Sequence, residues 1–314
     1  MQGSSLTVSL IAPMYGVERY IEQFAESVLS QSYPHIEFIF INDGTKDRSV
    51  ELLESLIDSK YSHLRSRIKI IHQENRGLPA ARRTGLEHAT GDYVYHVDSD
   101  DWLELDAVES MVEAIERTGA DIAYCGYVKE YESRSKVKLQ RNYATLGLKR
   151  YIVDMYNHRA AAAVWNKCVR RSLYVEHTIA TPRYSYAEDC FLMSQLVGYA
   201  RSIVYVDKAL YHYRKGNPNA ITRQQRNKRK REYALNFIDL YERYASLPAT
   251  ENPIAPIMDD IAIQLGWYSM LYGLNLFKQC SWLSRAVRKA KIRFCGSDVM
   301  LPWQLLTKLV ALFR

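Results

Sequence analysis

The chain is poor in cysteine. Its five, Cys125, Cys168, Cys190, Cys280 and Cys295, are scattered over 314 residues, form no C-x-x-C pair and are odd in number. That argues against a disulfide framework or a thiolate zinc site and favours a reducing compartment. Long apolar runs are missing too. A bilayer span needs roughly 20 apolar residues; the nearest stretch, "IAPIMDDIAIQLGWYSMLYGLNLF", is interrupted by Asp259 and Asp260. The opening "MQGSSLTVSLIAPMY" lacks the basic start and long apolar core of a secretory leader, so a cytoplasmic location is expected. Internal repeats and low-complexity tracts are absent as well, which leaves one large globular domain or two modest ones.

What is present is positive charge, tyrosine and alternation. The 42 basic residues exceed the 35 acidic ones by seven, a balance suited to anionic partners. Through the first half, apolar runs ("LTVSLIAP", "IEFIFIND", "RIKIIHQE", "DYVYHVD", "DIAYCGYVKEY") alternate with stretches of helical periodicity ("GVERYIEQFAESVLSQS", "DRSVELLESLIDSKY", "LPAARRTGLEHA", "LDAVESMVEAIERTG"). Continuous apolar strands separated by amphipathic helices predict a mostly parallel sheet covered on both faces. Ligands bind such sheets beyond the carboxyl ends of the strands. Further on, "TLGLKRYIVDMYNHRAAAAVWNKCVRRSLYVE" reads as helix with a break, "YSYAEDCFLMSQLVGYA" as helix and "SIVYVDKALYHYR" as strand. The segment "RKGNPNAITRQQRNKRKR" reads as a loop or boundary, and the rest as mostly helical.

The sharpest oddity is "YHVDSDDWLE", where Asp98, Asp100 and Asp101 crowd the end of a buried run. Like charges this close disfavour one another. Either the loop caps the next helix, or a cation and an anionic ligand belong there. An EF-hand is excluded, because Trp102 and Leu103 stand where an acceptor and the turn glycine are needed.

Taken together, "APMYGVERYIEQFAESVLSQSYPHIEFIFINDGTKDRS", "ENRGLPAARRTGLEHATGDYVYHVDSDDWL" and "YAEDCFL" resemble the family 2 glycosyltransferases in order and spacing, over residues 6 to about 222. The resemblance implies a GT-A fold, Rossmann-like, with helices on both faces of a mostly parallel sheet. It divides the chain into a catalytic domain at 1–222 (nucleotide-sugar half about 1–105, acceptor half about 106–222) and a helical C-terminal region at 223–314. It implies inverting transfer from a UDP-sugar, assisted by Mg²⁺ or Mn²⁺, to a hydroxyl of a glycan or lipid-linked glycan in surface or extracellular polysaccharide synthesis.

Site roles follow from the same resemblance. Asp100 and Asp98 are the implied metal ligands, and Asp98 with Ser99 lies near the donor. His212, at a strand end, is a candidate third ligand. Asp43 accepts from the uracil imide N–H, or closes an Asp-Gly turn, or both. Pro13 and Tyr15 present the first loop to the base, while Glu18 touches the nucleoside or is a first-turn helix acid. Gly77 allows close backbone approach. Arg82 faces the nucleotide, or is a solvated helix cation. Arg214 is a candidate for the diphosphate. Asp189 is the implied base that takes the acceptor proton, with Glu188 positioning it; the other reading of the pair is an acidic first helical turn. Trp165 and Lys167 are expected on the acceptor side.

Two regions carry weaker signals. The acid-free runs "RQQRNKRKR" and "RAVRKAKIR" and the terminal "LPWQLLTKLVALFR" fit either peripheral contact with an anionic membrane, at the inner face of the plasma membrane, or helices packed on the catalytic domain or on a second subunit. Nucleic acid is not an expected partner, since the basic runs lack interleaved aromatics. Among other functions, a nucleotidyltransferase would need an early Gly-rich basic loop, which "APMYGVERY" is not, and a catalytically weak nucleotide-sugar-binding module would not need Asp100 and Asp189.

Overall fold

The computed structural model describes residues 6–217, 226–271, 274 and 276–287. The terminal "LPWQLLTKLVALFR", Cys295 and the 218–225 part of the expected loop lie outside the described residues. The chain divides into two compact units, Met1–Gln224 and Gln225–Arg314.

The first unit begins as the periodicity predicts, with one exception: β1 (Val8–Met14), α1 (Ile21–Leu29), β2 (Ile36–Asp43), α2 (Ser49–Lys60), β3 (Ile68–Gln73), α3 (Leu78–Glu87), β4 (Tyr93–His96), a short β5 (Trp102–Leu103) that no apolar run announces, α4 (Ala107–Thr118) and β6 (Ile122–Tyr131). There follow β7 (Arg134–Lys138), α5 (Tyr143–Leu146), α6 (Leu148–Tyr156), β8 (Lys167–Arg170), α7 (Arg171–Val175), α8 (Glu188–Tyr199) and β9 (Ile203–Arg214). The sheet runs β3-β2-β1-β4-β8-β6-β9-β5, with β7 added to β6.

Strands β1 to β4 are mutually parallel, and β6 is parallel to β9. The joint between the two parallel sets is β8, antiparallel to both β4 and β6. Sequence periodicity does not predict β8 or β7: "NKCVRR" reads as a continuing helix and "RSKVK" has too little apolar content. Cys168 and Val169 become strand because they fill the gap between Val94–Tyr95 and Ile122–Ala123, a case of packing overriding local propensity.

Helices fit the sheet through single faces. In α1 the buried residues are Ile21, Phe24, Ala25, Val28 and Leu29, the i, i+3, i+4, i+7 stripe of an amphipathic helix. Phe24 meets Phe40 edge-on at 6.2 Å. All seven residues of β1 are buried, as expected where helices cover both sides. Helix α3 comes unusually close: a Cβ on Gly85 would lie 2.3 Å from Ile11 Cγ2. Cys125, Cys168, Cys190 and Cys280 are buried free thiols.

The second unit holds α9 (Arg226–Tyr244), α10 (Met258–Leu271) and α11 (Leu276–Gln279). Its interior contains Phe237, Leu240, Ile261 and Leu265, and Tyr233 donates to Gln264 Oε1 at 2.7 Å. Among the described residues no helix is long and apolar enough to cross a membrane.

Candidate active site

Strands β1, β2 and β4 end side by side, with Met14 opposite Asn42 and Ile11 opposite His96. Their carboxyl ends open into a cleft of about 480 Å³, a volume suited to a small ligand. Pro13, Tyr15, Asp43, Gly77, Arg82, Asp98, Ser99, Asp100, Trp165, Glu188 and Asp189 all line it. Residues more than a hundred positions apart in the sequence thus converge on one cleft.

The loops are braced from within. Asp43 is buried, and its carboxylate accepts from Gln73 Nε2 (2.6 Å), Arg76 N (2.9 Å) and Gly77 N (2.9 Å). Gly77 sits at φ +82°, in the left-handed region that favours glycine. Asp43 therefore closes the loop before α3, and with about four acceptor positions on a carboxylate it keeps one for a ligand. Ser99 Oγ donates to the Pro13 carbonyl at 2.6 Å and so ties the acidic loop to the end of β1. Tyr15 is exposed at the mouth.

Arg82 is the electrostatic centre. Its side chain is 4% exposed, and it donates to Asp98 Oδ1 at 2.6 Å, to Asp189 Oδ1 at 2.7 Å and to Glu188. Burial opposes its charge, but the three acids hold the guanidinium well above its usual range. Burial pushes Asp98 up to about 6, with Arg82 pulling the other way and Asp189 and Asp100 adding to the rise. Burial raises Glu188 as well, with Arg82 pulling the other way and Asp189 adding to the rise. Glu188 and Asp189 open α8 behind Ala187, whose φ of +62° is uncommon for a residue with a Cβ. That local strain aims the two carboxyls at the cleft.

Asp101 has a different job. It is buried, accepts from Tyr211 OH and from the Arg214 backbone N–H, each at 2.7 Å, and fixes β9 to the acidic loop. Asn217, which no sequence signal singled out, donates to Asp100 Oδ2 at 2.7 Å. Its only hint is its place in the Asn-Pro loop after β9.

Four expected site residues do not line the cleft. Glu18 accepts from the Arg48 backbone N–H at 3.1 Å and braces the start of α2. Lys167 is fully buried and donates to the Ala161 and Ala163 carbonyls and to Asn166 Oδ1; burial brings it down to about 7. His212 has both ring nitrogens engaged, with Glu130 and Glu104 at 2.8 Å, and stacks on Trp102, which leaves no nitrogen for an ion. Arg214 donates from Nε to the Asp100 carbonyl and from Nη2 to Gln23, with its guanidinium over Tyr20 and Trp102. It braces the acidic loop through the Asp100 carbonyl and does not line the cleft.

Five acids (Asp43, Asp98, Asp100, Glu188, Asp189) and one cation (Arg82) line the cleft among the described residues. No three His, Cys, Asp or Glu side chains there form a ready ligand set. Asp98 and Asp100 each have one oxygen committed, to Arg82 and to Asn217. Two hard carboxylates with an oxygen to spare fit a Mg²⁺- or Mn²⁺-type ion that takes its other ligands from phosphate and water.

The model of the family described as glycosyl transferase family 2 matches residues 9–177. EpsH of Bacillus subtilis (strain 168) is 32% identical over 86% of this chain and 77% of its own. The fold is that of GT-A structures. The first 349 residues of Staphylococcus aureus TarS, in complex with UDP-GlcNAc, superpose with a TM-score of 0.64 over 91% of this chain and 80% of theirs, at 18% identity. The mannosyltransferase PcManGT of Pyrobaculum calidifontis, in complex with GDP-Man and Mn²⁺, has a TM-score of 0.58 over 98% and 81%, at 17% identity.

Proposed function

Because the chain belongs to glycosyltransferase family 2, we propose that it transfers a sugar, with inversion, from a UDP-sugar to a hydroxyl of a glycan or lipid-linked glycan in surface polysaccharide synthesis. The observation that carries this reading is the acid-rich cleft at the strand ends. A cleft with five acids and one arginine repels a diphosphate unless a cation accompanies it. Asp98 and Asp100 would hold that ion, which when bound neutralises charge developing on the departing diphosphate.

The rest is work for the chain's own groups. Tyr15 gives the base a flat platform at the mouth, and the remaining acceptor position of Asp43 meets the imide N–H of uracil. Asp189 takes the proton of the acceptor hydroxyl as its oxygen attacks the anomeric carbon. Arg82 binds Asp189 through Oδ1 and so holds the base at the cleft wall. Glu188, whose pKa burial raises against the pull of Arg82, shares that guanidinium with the base.

Calorimetric titration of UDP, GDP and CDP, each with and without Mn²⁺, tests the donor site. The expected outcome is Mn²⁺-dependent binding of UDP in preference to the other two. Equal UDP affinity in EDTA would remove the ion, and GDP preference would remove the uracil role of Asp43. Replacing the base, Asp189→Asn, is expected to keep UDP affinity while UDP release from the donor found by screening falls about 10²–10⁴-fold; near-normal turnover would take the base away from Asp189.

A further inference from the structure

Beside the cleft, the sheet presents a face that the transfer chemistry does not use. Residues opposite each other in register project to the same side. Tyr213 of β9 stands opposite Lys129 of β6, which stands opposite Lys136 of β7. On the same side, Tyr127 faces Lys138, and Tyr131 faces Arg134. Aromatic rings and cations therefore alternate across three strands. Arg134 lies over the Tyr131 ring at 5.2 Å, Lys129 over Tyr127 at 5.9 Å and Lys215 over Tyr213 at 4.3 Å.

This face joins the cleft without a break. Tyr213 and Trp165 line the cleft; Trp165 stacks on Tyr213 at 5.3 Å and meets Tyr127 edge-on at 5.0 Å. Lys129, Arg134, Lys136 and Lys138 form no ion pair with any described acid, and the nearest strand acid, Glu130, belongs to the other side, bound to His212. The crowding registers on the lysines. Lys129 is held below its usual value by burial and then by Lys138 and Lys136, and Lys215 by burial and then by Lys129. Such a cluster gains from an anion brought from outside.

We propose that this face, with Tyr213, Tyr127, Tyr131, Lys129, Lys136 and Lys138, is the track along which an anionic saccharide chain, the acceptor, runs into the cleft. Sugar rings pass along the tyrosines, and phosphate or carboxylate groups between the sugars meet the lysines. The identification of this chain as acceptor rests on the transferase reading above. An anionic membrane is the weaker occupant. The exposed apolar side chain of β7, Val137, is opposite Val128 on the other side of the strand pair, so the cations do not flank an apolar surface able to insert.

The test is equilibrium binding of the full chain to labelled oligomers of polyglycerol phosphate (phosphate source) and polygalacturonate (carboxylate source), with neutral dextran and phosphatidylglycerol vesicles alongside. The wild type should bind one or both oligomers, more weakly as salt rises, and dextran far less. The triple variant K129Q/K136Q/K138Q should lose about tenfold or more in affinity, and K129R/K136R/K138R should recover it. UDP affinity, unchanged in both variants, reports that the fold and cleft are intact. Unchanged oligomer binding by the glutamine variant, or dextran binding as tight as that of the anionic oligomers, would overturn the track. So would vesicle binding that the glutamine variant loses while oligomer binding stays. UDP binding without oligomer binding overturns this proposal alone. A wild type that binds oligomer but no UDP overturns the transferase reading instead, and with it the role of acceptor.

Discussion

Arg82 concentrates the electrostatics of the molecule into one side chain. A single buried guanidinium faces three carboxyls, and its planar fork lets Nη1 serve Glu188 and Asp189 while Nη2 serves Asp98. Removing it leaves three acids without their shared cation. Arg82→Met should therefore cost about 3–5 kcal/mol of folding stability, read by urea unfolding. Arg82→Lys keeps the charge but not the fork, since an ammonium is a point donor. It should cost less stability, about 1–2 kcal/mol, yet still disturb UDP binding, because Asp98 and Asp189 are no longer held by the same group. Equal stability of Arg82→Met and wild type would mean that the three acids are solvated rather than clamped. In the sequence, Arg82 reads only as a helix residue that faces either a nucleotide or water. Its partners lie 16, 106 and 107 positions away, and nothing in local spacing announces them. Asp43 was more legible, because an Asp-Gly pair after an apolar run signals a strand-end turn.

At the scale of elements, Glu37 of β2 does for the opposite end of the sheet what Arg82 does for the cleft. Its carboxylate accepts from Ser9 Oγ, the Thr90 and Gly91 backbone N–H groups and Thr90 Oγ1, and meets Lys69 at 3.3 Å. One side chain thereby joins β1, β2, β3 and the turn before β4. Burial raises its pKa, but the hydrogen bonds from Ser9, Thr90 and Gly91 outweigh that and hold it below the usual 4.5. A carboxylate depressed in the folded state stabilises above its unfolded pKa, and that stabilisation is lost as pH falls through the folded value. Glu37→Gln should cost about 1–3 kcal/mol near pH 7. The gap from wild type should narrow as pH drops below 4.5. A gap that stays constant to low pH would mean that packing, not the ionised carboxylate, makes the difference. Glu37 itself is hard to read in advance, because an acid inside "IEFIFIND" looks like an interruption of a buried strand. The elements around it were legible: β1 to β4, β6 and β9 have mainly apolar runs, and α1 to α4 have helical stripes. The strands that escaped, β5, β7 and β8, are short, and only their neighbours make them strands.

For the molecule as a whole, every described residue of the cleft lies in the first unit, from Pro13 to Asn217. So do the entire sheet and the cationic, aromatic track beside it. The second unit has its own interior around Phe237, Leu240, Ile261 and Leu265, with hydrogen bonds such as Tyr233 to Gln264 made internally. Each unit thus has the buried apolar set that an independently folding domain requires. A fragment covering 1–224 should therefore unfold in a single cooperative transition and bind UDP with Mn²⁺ as tightly as the full chain, within about threefold, a difference of less than 1 kcal/mol. Circular dichroism melts and the same calorimetric titration check both points. A folded fragment with much weaker UDP binding would assign part of the donor site to residues beyond 224. A fragment that does not fold would assign to the second unit a share of the stability that the first unit's own core, built on β1, β2 and β4, is here expected to supply. Intact UDP binding together with lost binding of the anionic oligomers would divide the labour differently: donor recognition by the first unit alone, and capture of the acceptor by both.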